Sequence, residues 1–460
     1  MQSSTTKSAP KQAPIKLVAL SSYIGATIEW YDFFLYGTAA AMIFDKLFFP
    51  TADPQLGMIL SLGTLGVAYL ARPVGGLIIA HYGDRIGRKK MLVLTLIIMG
   101  VATVFVGLLP TYDTVGMLAP ILLVLCRLLQ GIGIGGEYGG AVLITVESSP
   151  RKRRGVYGSI TQLGVASGLL LSAGVFALVS GNLGEEAFLT WGWRVPFLAS
   201  AVLLLVALFI RLAISESPAF QEVRAQGREE RLPLATLLKT QRRATVLAIG
   251  QRLAEACIFN LFAVFLLGYV ANHLDMPRDI AVTGVLISAG VMHITTIAFG
   301  ALSDQIGRKK VYVTGALLSA GLIVPVFLLL DTRQVSLIWL AFALGLGVGW
   351  AAMYGPLAAW WTEQFRTNVR YSGISMAYQL GGAIGGGFTP VLAATLLVAG
   401  NGHFWIIAAF TIAVCLISAL TGILAPETYQ RDAQEEYDSL ERAEGCPAAE
   451  PSRKVGVPEA

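Results

Sequence analysis

Asp84-Arg85-Ile86-Gly87-Arg88-Lys89-Lys90 returns 220 positions later as Asp304-Gln305-Ile306-Gly307-Arg308-Lys309-Lys310. Each copy follows one long apolar stretch and precedes another, so each reads as a tight basic turn between two helices. The central glycine permits the turn, aspartate ends the incoming helix, and arginine and lysines open the outgoing one. Two further landmarks keep nearly the same spacing. Gln162-Leu163-Gly164 recurs as Gln379-Leu380-Gly381, 217 positions on, and Ser215-Glu216-Ser217-Pro218 is answered by Ala425-Pro426-Glu427-Thr428, with 211 positions between the glutamates. The chain reads as one unit built twice.

Composition says what surrounds those helices. Of 460 residues, 55% are hydrophobic and 14% charged, with mean hydropathy +0.65; a typical soluble protein is about 25% charged. So much apolar surface cannot be hidden in a water-soluble particle, which excludes a cytosolic enzyme, a nucleic-acid binder and a disordered chain despite a net charge of +5. Twelve apolar stretches are long enough to cross a bilayer, near 17–44, 57–82, 91–109, 116–148, 155–180, 193–214, 244–272, 281–303, 311–331, 335–363, 370–399 and 403–425. The fold class is therefore an all-α membrane protein with twelve transmembrane helices.

Charge orients them. The even-numbered loops and both tails hold 27 of the 34 Lys and Arg residues, with Arg211 counted in the loop after span six. The odd-numbered loops hold only Lys46, Arg278 and Arg333, beside eight acids. This asymmetry puts both termini and the even loops in the cytoplasm. The segments become a cytoplasmic N-terminal tail (1–16), a first six-helix bundle (17–214), a cytoplasmic linker (215–243), a second bundle (244–425) and a cytoplasmic tail (426–460). The linker mixes Glu222, Glu229 and Glu230 with Arg224, Arg228, Arg231 and Arg242 and reads as solvated; the acidic tail reads as disordered or a frayed helix. No secretory signal pattern is present in 1–16, so the first helix serves as its own insertion signal. Cys126, Cys257, Cys415 and Cys446 have neither metal-ligand nor disulfide spacing and read as small hydrophobes.

The basic loops, with Arg127-Leu128-Leu129-Gln130-Gly131 in span four, resemble the major facilitator superfamily. Glu29-Trp30-Tyr31-Asp32-Phe33-Phe34, Ala71-Arg72-Pro73, Gly135-Gly136-Glu137-Tyr138-Gly139-Gly140 and Glu216-Ser217-Pro218 narrow the likeness to the metabolite:proton symporters. Trp191-Gly192-Trp193-Arg194, Arg252-Leu253-Ala254-Glu255, Arg370-Tyr371-Ser372-Gly373 and Gly385-Gly386-Gly387-Phe388-Thr389-Pro390 look most like the shikimate-transporter branch. One departure is Ala80, where many superfamily members carry glycine. The resemblance runs from about Lys16 to Thr428. It implies two pseudo-symmetric bundles around a central cavity, and proton-driven uptake of a carboxylate such as citrate, 2-oxoglutarate, a dicarboxylate or shikimate, or of a zwitterion such as proline or betaine.

The residues themselves supply candidates for that path. An ionised side chain at mid-bilayer costs roughly 2.5–3.5 kcal/mol, so Glu29, Asp32, Arg127, Glu137, Arg252 and Glu255 facing lipid would cost on the order of 15–20 kcal/mol. They must face water or one another. Glu29, Asp32 and Tyr36 share one stripe of span one; Arg127, Gln130, Ile134 and Glu137 share another on span four; Arg252 and Glu255 are i, i+3 neighbours. Asp32 or Glu29 is the first choice for the proton carrier, with Glu137 and Glu255 further candidates; the competing reading is static ion pairing. Arg127 is placed either on a substrate carboxylate or as a structural partner of Glu137 or Asp32. Arg252 with Glu255 is either the second bundle's half of the site or a self-neutralising pair.

Gln130 and Gln379 suit hydrogen bonds to cargo or between helices, and Tyr31, Tyr36, Tyr354, Trp360 and Tyr378 suit the cavity wall or packing. His293 reads as a relay or a satisfied core residue. Arg72, before Pro73, and Arg194, at the edge of span six, read as structural. In the repeated loops Asp84, Arg85, Gly87, Arg88 and Lys89, with Asp304, Gly307, Arg308 and Lys309, read as a gate latch beyond their topological role. No metal site, cofactor or phosphate loop is indicated. The combined expectation is an inner-membrane secondary transporter, active as a monomer, that imports a small organic acid with protons by alternating access. Import of a zwitterion, and a membrane sensor or scaffold without transport, are the alternatives.

Overall fold

The computed structural model describes residues 14–50, 54–225, 230 and 232–429. Nearly all of the polar N-terminal tail, the centre of the linker and the tail beyond Tyr429 lie outside the described residues. In chain order the main helices are α1 (Ile15–Met42), α2 (Pro54–Ile86), α3 (Arg88–Leu108), α4 (Leu118–Glu147), α5 (Arg151–Asn182), α6 (Arg194–Leu212), α7 (Arg242–His273), α8 (Arg278–Ile306), α9 (Arg308–Asp331), α10 (Val335–Gln364), α11 (Arg370–Ala399) and α12 (Trp405–Leu424). There is no strand among the described residues.

Eleven of these helices, α2 to α12, contain stretches long and apolar enough to cross a membrane. α1 falls short of that hydropathy because Ser21, Ser22, Glu29 and Asp32 dilute it. Its 28 residues nevertheless exceed the roughly 20 a span requires. The protein is an all-helical membrane protein of two six-helix halves.

Packing repeats with the sequence. In the first half α1 packs on α5, α2 and α3 on α4, and α3 on α6; their images are α7 on α11, α8 and α9 on α10, and α9 on α12. The halves meet along two seams, α2 with α11 and α5 with α8, each the image of the other. Glycines set the closest approaches: a Cβ at Gly75 or Gly135 would collide with the facing backbone between α2 and α4.

Both repeated loops turn through their glycine, Gly87 at φ 119° and Gly307 at φ 106°, which L side chains rarely adopt. The linker differs from the solvated segment expected. Its helices Pro218–Ala225 and Pro233–Thr240 bury Phe220 and Leu237, and the second rests on α2, α7 and α11. The leucines on one face of Pro233–Thr240 outweigh the charges around it.

Candidate transport site

The two halves are tied together at the end that carries the basic loops. Asp84 accepts hydrogen bonds from the backbone N–H groups of Tyr371 (3.2 Å) and Ser372 (2.9 Å) and from the Ser372 hydroxyl. Its image Asp304 accepts from the N–H groups of Gly155 (2.8 Å) and Val156 (2.9 Å). Each aspartate thus meets the first turn of a helix in the opposite half, where a carboxylate is favoured by unsatisfied N–H groups and the helix dipole.

Two glutamates act as paired hubs. Glu147 binds Arg88 of its own half and Arg370 of the other (2.9 Å), with Ser217 alongside. Glu363 binds Arg308 of its own half (3.3 Å) and Arg154 of the other (3.7 Å), with Thr428 alongside. Glu216 and Glu427 accept the N–H groups of Lys89 and Lys309. The copies differ in one respect. Asp304 pairs with Arg308 at 2.6 Å as the motif suggests, whereas Arg88 turns to Glu147 instead of Asp84. Arg85 is exposed, and the Lys89 ammonium caps the Leu212 carbonyl of α6.

Between the halves lies a small cavity of about 30 Å³, room for water but not for a metabolite with the halves in this arrangement. Trp30, Tyr69 and Arg72 line it from the first half; Arg252, Glu255, Asn260, Trp350, Tyr354, Tyr378 and Gln379 line it from the second. Arg252 pairs with Glu255 and lies 3.9 Å over the Tyr378 ring; Glu255 also accepts from the Trp350 indole at 2.7 Å. Arg72 lies 4.3 Å over Tyr69 and 4.9 Å over Phe33. The repeated glutamines close the seams beside it: Gln162 donates to the Tyr354 carbonyl and Gln379 to that of Gly135 (2.8 Å). The π-helical turns Leu261–Phe265 in α7, Ala343–Trp350 in α10 and Ala383–Gly387 in α11 border these lining residues, as such turns often border sites.

Five sequence candidates, Arg252, Glu255, Tyr354, Tyr378 and Gln379, reach this wall. Trp360 is buried in the second half, where its indole donates to the Pro426 carbonyl, and the candidates from spans one and four are gathered inside the first half. Arg127 lies 3.4 Å over the Tyr36 ring and donates to Gln130; Gln130 donates to Thr103 (2.6 Å), and Thr103 to Asp32 (2.7 Å), which also takes the Ser200 hydroxyl (2.8 Å). Tyr31 donates to the Pro196 carbonyl, and Tyr36 is bonded to Thr64. Arg127, read from sequence either as a fork on cargo or as a structural partner of Glu137 or Asp32, is 1% exposed, does not line the cavity and reaches Asp32 through Gln130 and Thr103.

Glu137 pairs with Arg211 at 2.7 Å and accepts from Thr95. Glu29 lies beside this pair, within electrostatic reach of Glu137, Arg72 and Arg211. Gly25, one turn before Glu29, leaves the room that the Arg211 guanidinium occupies. His293 joins the halves through Ser167 (2.8 Å), itself bonded to Tyr23.

Four charged residues of this arrangement escaped the sequence. Arg211 was counted with a loop, though ten apolar residues in a row, 201–210, precede it within α6; Arg72 was set aside because a proline follows; Glu147 and Glu363 sit at helix ends where an acid attracts no notice. A signal for Arg72 did exist: Tyr69 and Arg72, and Trp30 and Phe33, are i, i+3 pairs that place aromatic rings beside the cation.

Two halves related by repeat, closed at one end over polar ties and holding a charged cavity between them, define a membrane transporter, not an enzyme. Sequence comparison agrees. The profile of the Major Facilitator Superfamily matches residues 22–386 and, in a second alignment, 294–450. The shikimate transporter of Escherichia coli (strain K12) is 38% identical over 444 residues, covering 93% of this chain and 99% of that relative. The proline/betaine transporter of Salmonella typhimurium (strain LT2) is 35% identical over 418 residues, covering 89% and 83%. Among solved structures, the proton:xylose symporter XylE bound to 6-bromo-6-deoxy-D-glucose matches with TM-score 0.72 at 18% identity, over 93% of this chain and 99% of that one. A partially occluded inward-open XylE from E. coli gives 0.61 at 19% identity, over 91% and 99%. The chain belongs to the Major Facilitator Superfamily.

Proposed function

We propose that the protein is a proton-coupled symporter that takes up a small organic acid, of the shikimate, dicarboxylate or 2-oxoacid kind, by alternating access. The observation that carries this reading is the cavity between the halves, walled by Arg72, Arg252 and Glu255 while the basic end is shut. The relative that transports shikimate supports the acid; the proton:xylose symporter shares the fold alone. The bundles are 17–214 and 244–425, joined by 215–243. The basic end and both termini face the cytoplasm of an inner membrane, a reading supported by the Lys and Arg distribution. One chain supplies both walls of the cavity, so a monomer suffices.

In this cycle the Asp84 and Asp304 ties and the Glu147 and Glu363 hubs hold the cytoplasmic gate. They release together when the halves rock, because their geometry is duplicated. Glu29 carries the proton: it adjoins Trp30 of the wall and lies between Arg72 and Arg211 without a fixed ion pair among the described residues. Asp32, held by two hydroxyls and balanced by Arg127, keeps the first half in register, as Glu137 does through Arg211.

A second reading, uptake of a zwitterion such as proline or betaine, is favoured by the aromatic wall of Trp30, Trp350, Tyr354 and Tyr378, which suits an ammonium. Uptake of labelled carboxylates and betaines into proteoliposomes, with and without an acid-outside gradient, decides between them. Gradient-driven accumulation of a carboxylate supports the acid reading, and accumulation of betaines alone supports the other. No accumulation of any compound refutes both.

A further inference from the structure

Four acid–base sets lie inside the spans, and one differs from the rest. Arg211 and Glu137 are in direct contact, and so are Arg252 and Glu255. Arg127 reaches Asp32 through Gln130 and Thr103. Arg72, 8% exposed, makes no hydrogen bond and no ion pair among the described residues, and it lines the cavity. Its counter-charge, Glu29, acts on it from beyond ion-pair distance. Facing Glu29 are Arg72 of α2, Glu137 of α4, Arg211 of α6, and the phenols of Tyr138 on α4 and Tyr378 on α11.

We propose that Arg72 takes the cargo's carboxylate and that Glu29 is its displaceable counter-charge, so each carboxylate enters with one proton and no net charge. This rests on the organic-acid reading above. With Glu29 ionised, the carboxylates of Glu29 and Glu137 balance Arg72 and Arg211. A proton on Glu29 leaves one positive charge unmatched, and Arg72 is where that charge meets the cavity. One carboxylate restores neutrality; two would overshoot it. Binding either the proton or the acid alone leaves an uncompensated charge in a low-dielectric site, which is the unfavourable state that couples them.

Geometry prepares Arg72 for the role. The Tyr69 and Phe33 rings, at 89° to each other, flank the guanidinium at 4.3 and 4.9 Å, and its Nε is buried without a hydrogen-bond partner among the described residues, which leaves N–H donors for a two-pronged bond to a carboxylate. Arg252 cannot serve equally, because Glu255 already neutralises it.

The test uses the full chain in proteoliposomes, with labelled shikimate as a monocarboxylate, its methyl ester as a neutral competitor, and succinate as a dicarboxylate. An acid-outside pH gradient drives shikimate accumulation, and an inside-negative potential set by potassium and valinomycin does not. Arg72→Gln raises the shikimate KM by at least roughly 10- to 150-fold, the range for losing one of the two charge-assisted hydrogen bonds. It also abolishes the preference for acid over ester. Arg72→Lys, which keeps the charge and the fold, restores part of both. Glu29→Gln still exchanges shikimate across the membrane and no longer responds to the pH gradient.

Uptake driven by potential alone, preference for succinate over shikimate, or a wild-type acid-to-ester preference in Arg72→Gln overturns the proposal while leaving the transporter reading intact. Accumulation by the wild type of neither these acids nor a labelled 2-oxoacid refutes the organic-acid reading itself.

Discussion

Changing Asp304 to Asn loosens one of the two ties that shut the basic end. The Asp304 carboxylate takes the Gly155 and Val156 N–H groups at 2.8 and 2.9 Å and Arg308 at 2.6 Å. An amide keeps one acceptor oxygen and turns an N–H₂ group toward a donor, so at least one charge-assisted bond is lost. Such a bond contributes about 1.5–3 kcal/mol, which moves the closed-to-open ratio roughly 10- to 150-fold. Asp84→Asn acts on the image site, and the two effects add because the seams share no partner. The assay is the distance between spin labels at Lys90→Cys and Lys310→Cys, exposed positions on opposite halves at that end. Cys126, Cys257 and Cys415 are buried, and Cys446, outside the described residues, is replaced by serine in the background chain. Either single variant should lengthen a share of the distances, and the double variant most of them. Unchanged distributions in all three variants would refute the latch.

Glu29→Gln should abolish accumulation against a gradient, whereas Asp32→Asn should lower protein stability more than coupling, read by proteoliposome uptake beside thermal unfolding in detergent. Gly87→Ala and Gly307→Ala each force a side chain into positive φ, and each places a Cβ against Glu216 or Glu427. A cost of about 1–3 kcal/mol per site follows, visible as a lower Tm. Arg211→Gln strands the buried Glu137 carboxylate and should destabilise by about 3–5 kcal/mol, with Glu137→Gln in the same chain recovering most of it.

The duplicated architecture was legible because lipid imposes it: apolar length sets the spans and the repeated basic loops set the halves. Site membership was harder. Arg127 and Arg252 look alike in sequence, each an arginine with a polar neighbour three positions on. Yet Arg127 is enclosed by Tyr36 and Gln130 while Arg252 borders the cavity. Helical periodicity tells which residues share a face, not whether that face meets its own bundle or the seam. That depends on crossing contacts such as Gly75 with Ile132, which involve residues far apart in the chain. The latch shows the same limit: Asp84 and Arg88 were visible, whereas Glu147, Arg370 and Ser217 became partners only through the fold.

The most direct test of a cargo path between the halves is the reactivity of a cysteine at Asn260, on the cavity wall contributed by α7. With Asn260→Cys in intact cells, a membrane-impermeant thiol reagent added outside should label the site, and shikimate should slow that labelling in a concentration-dependent way. Labelling that no carboxylate or betaine alters would contradict a binding site in this cavity.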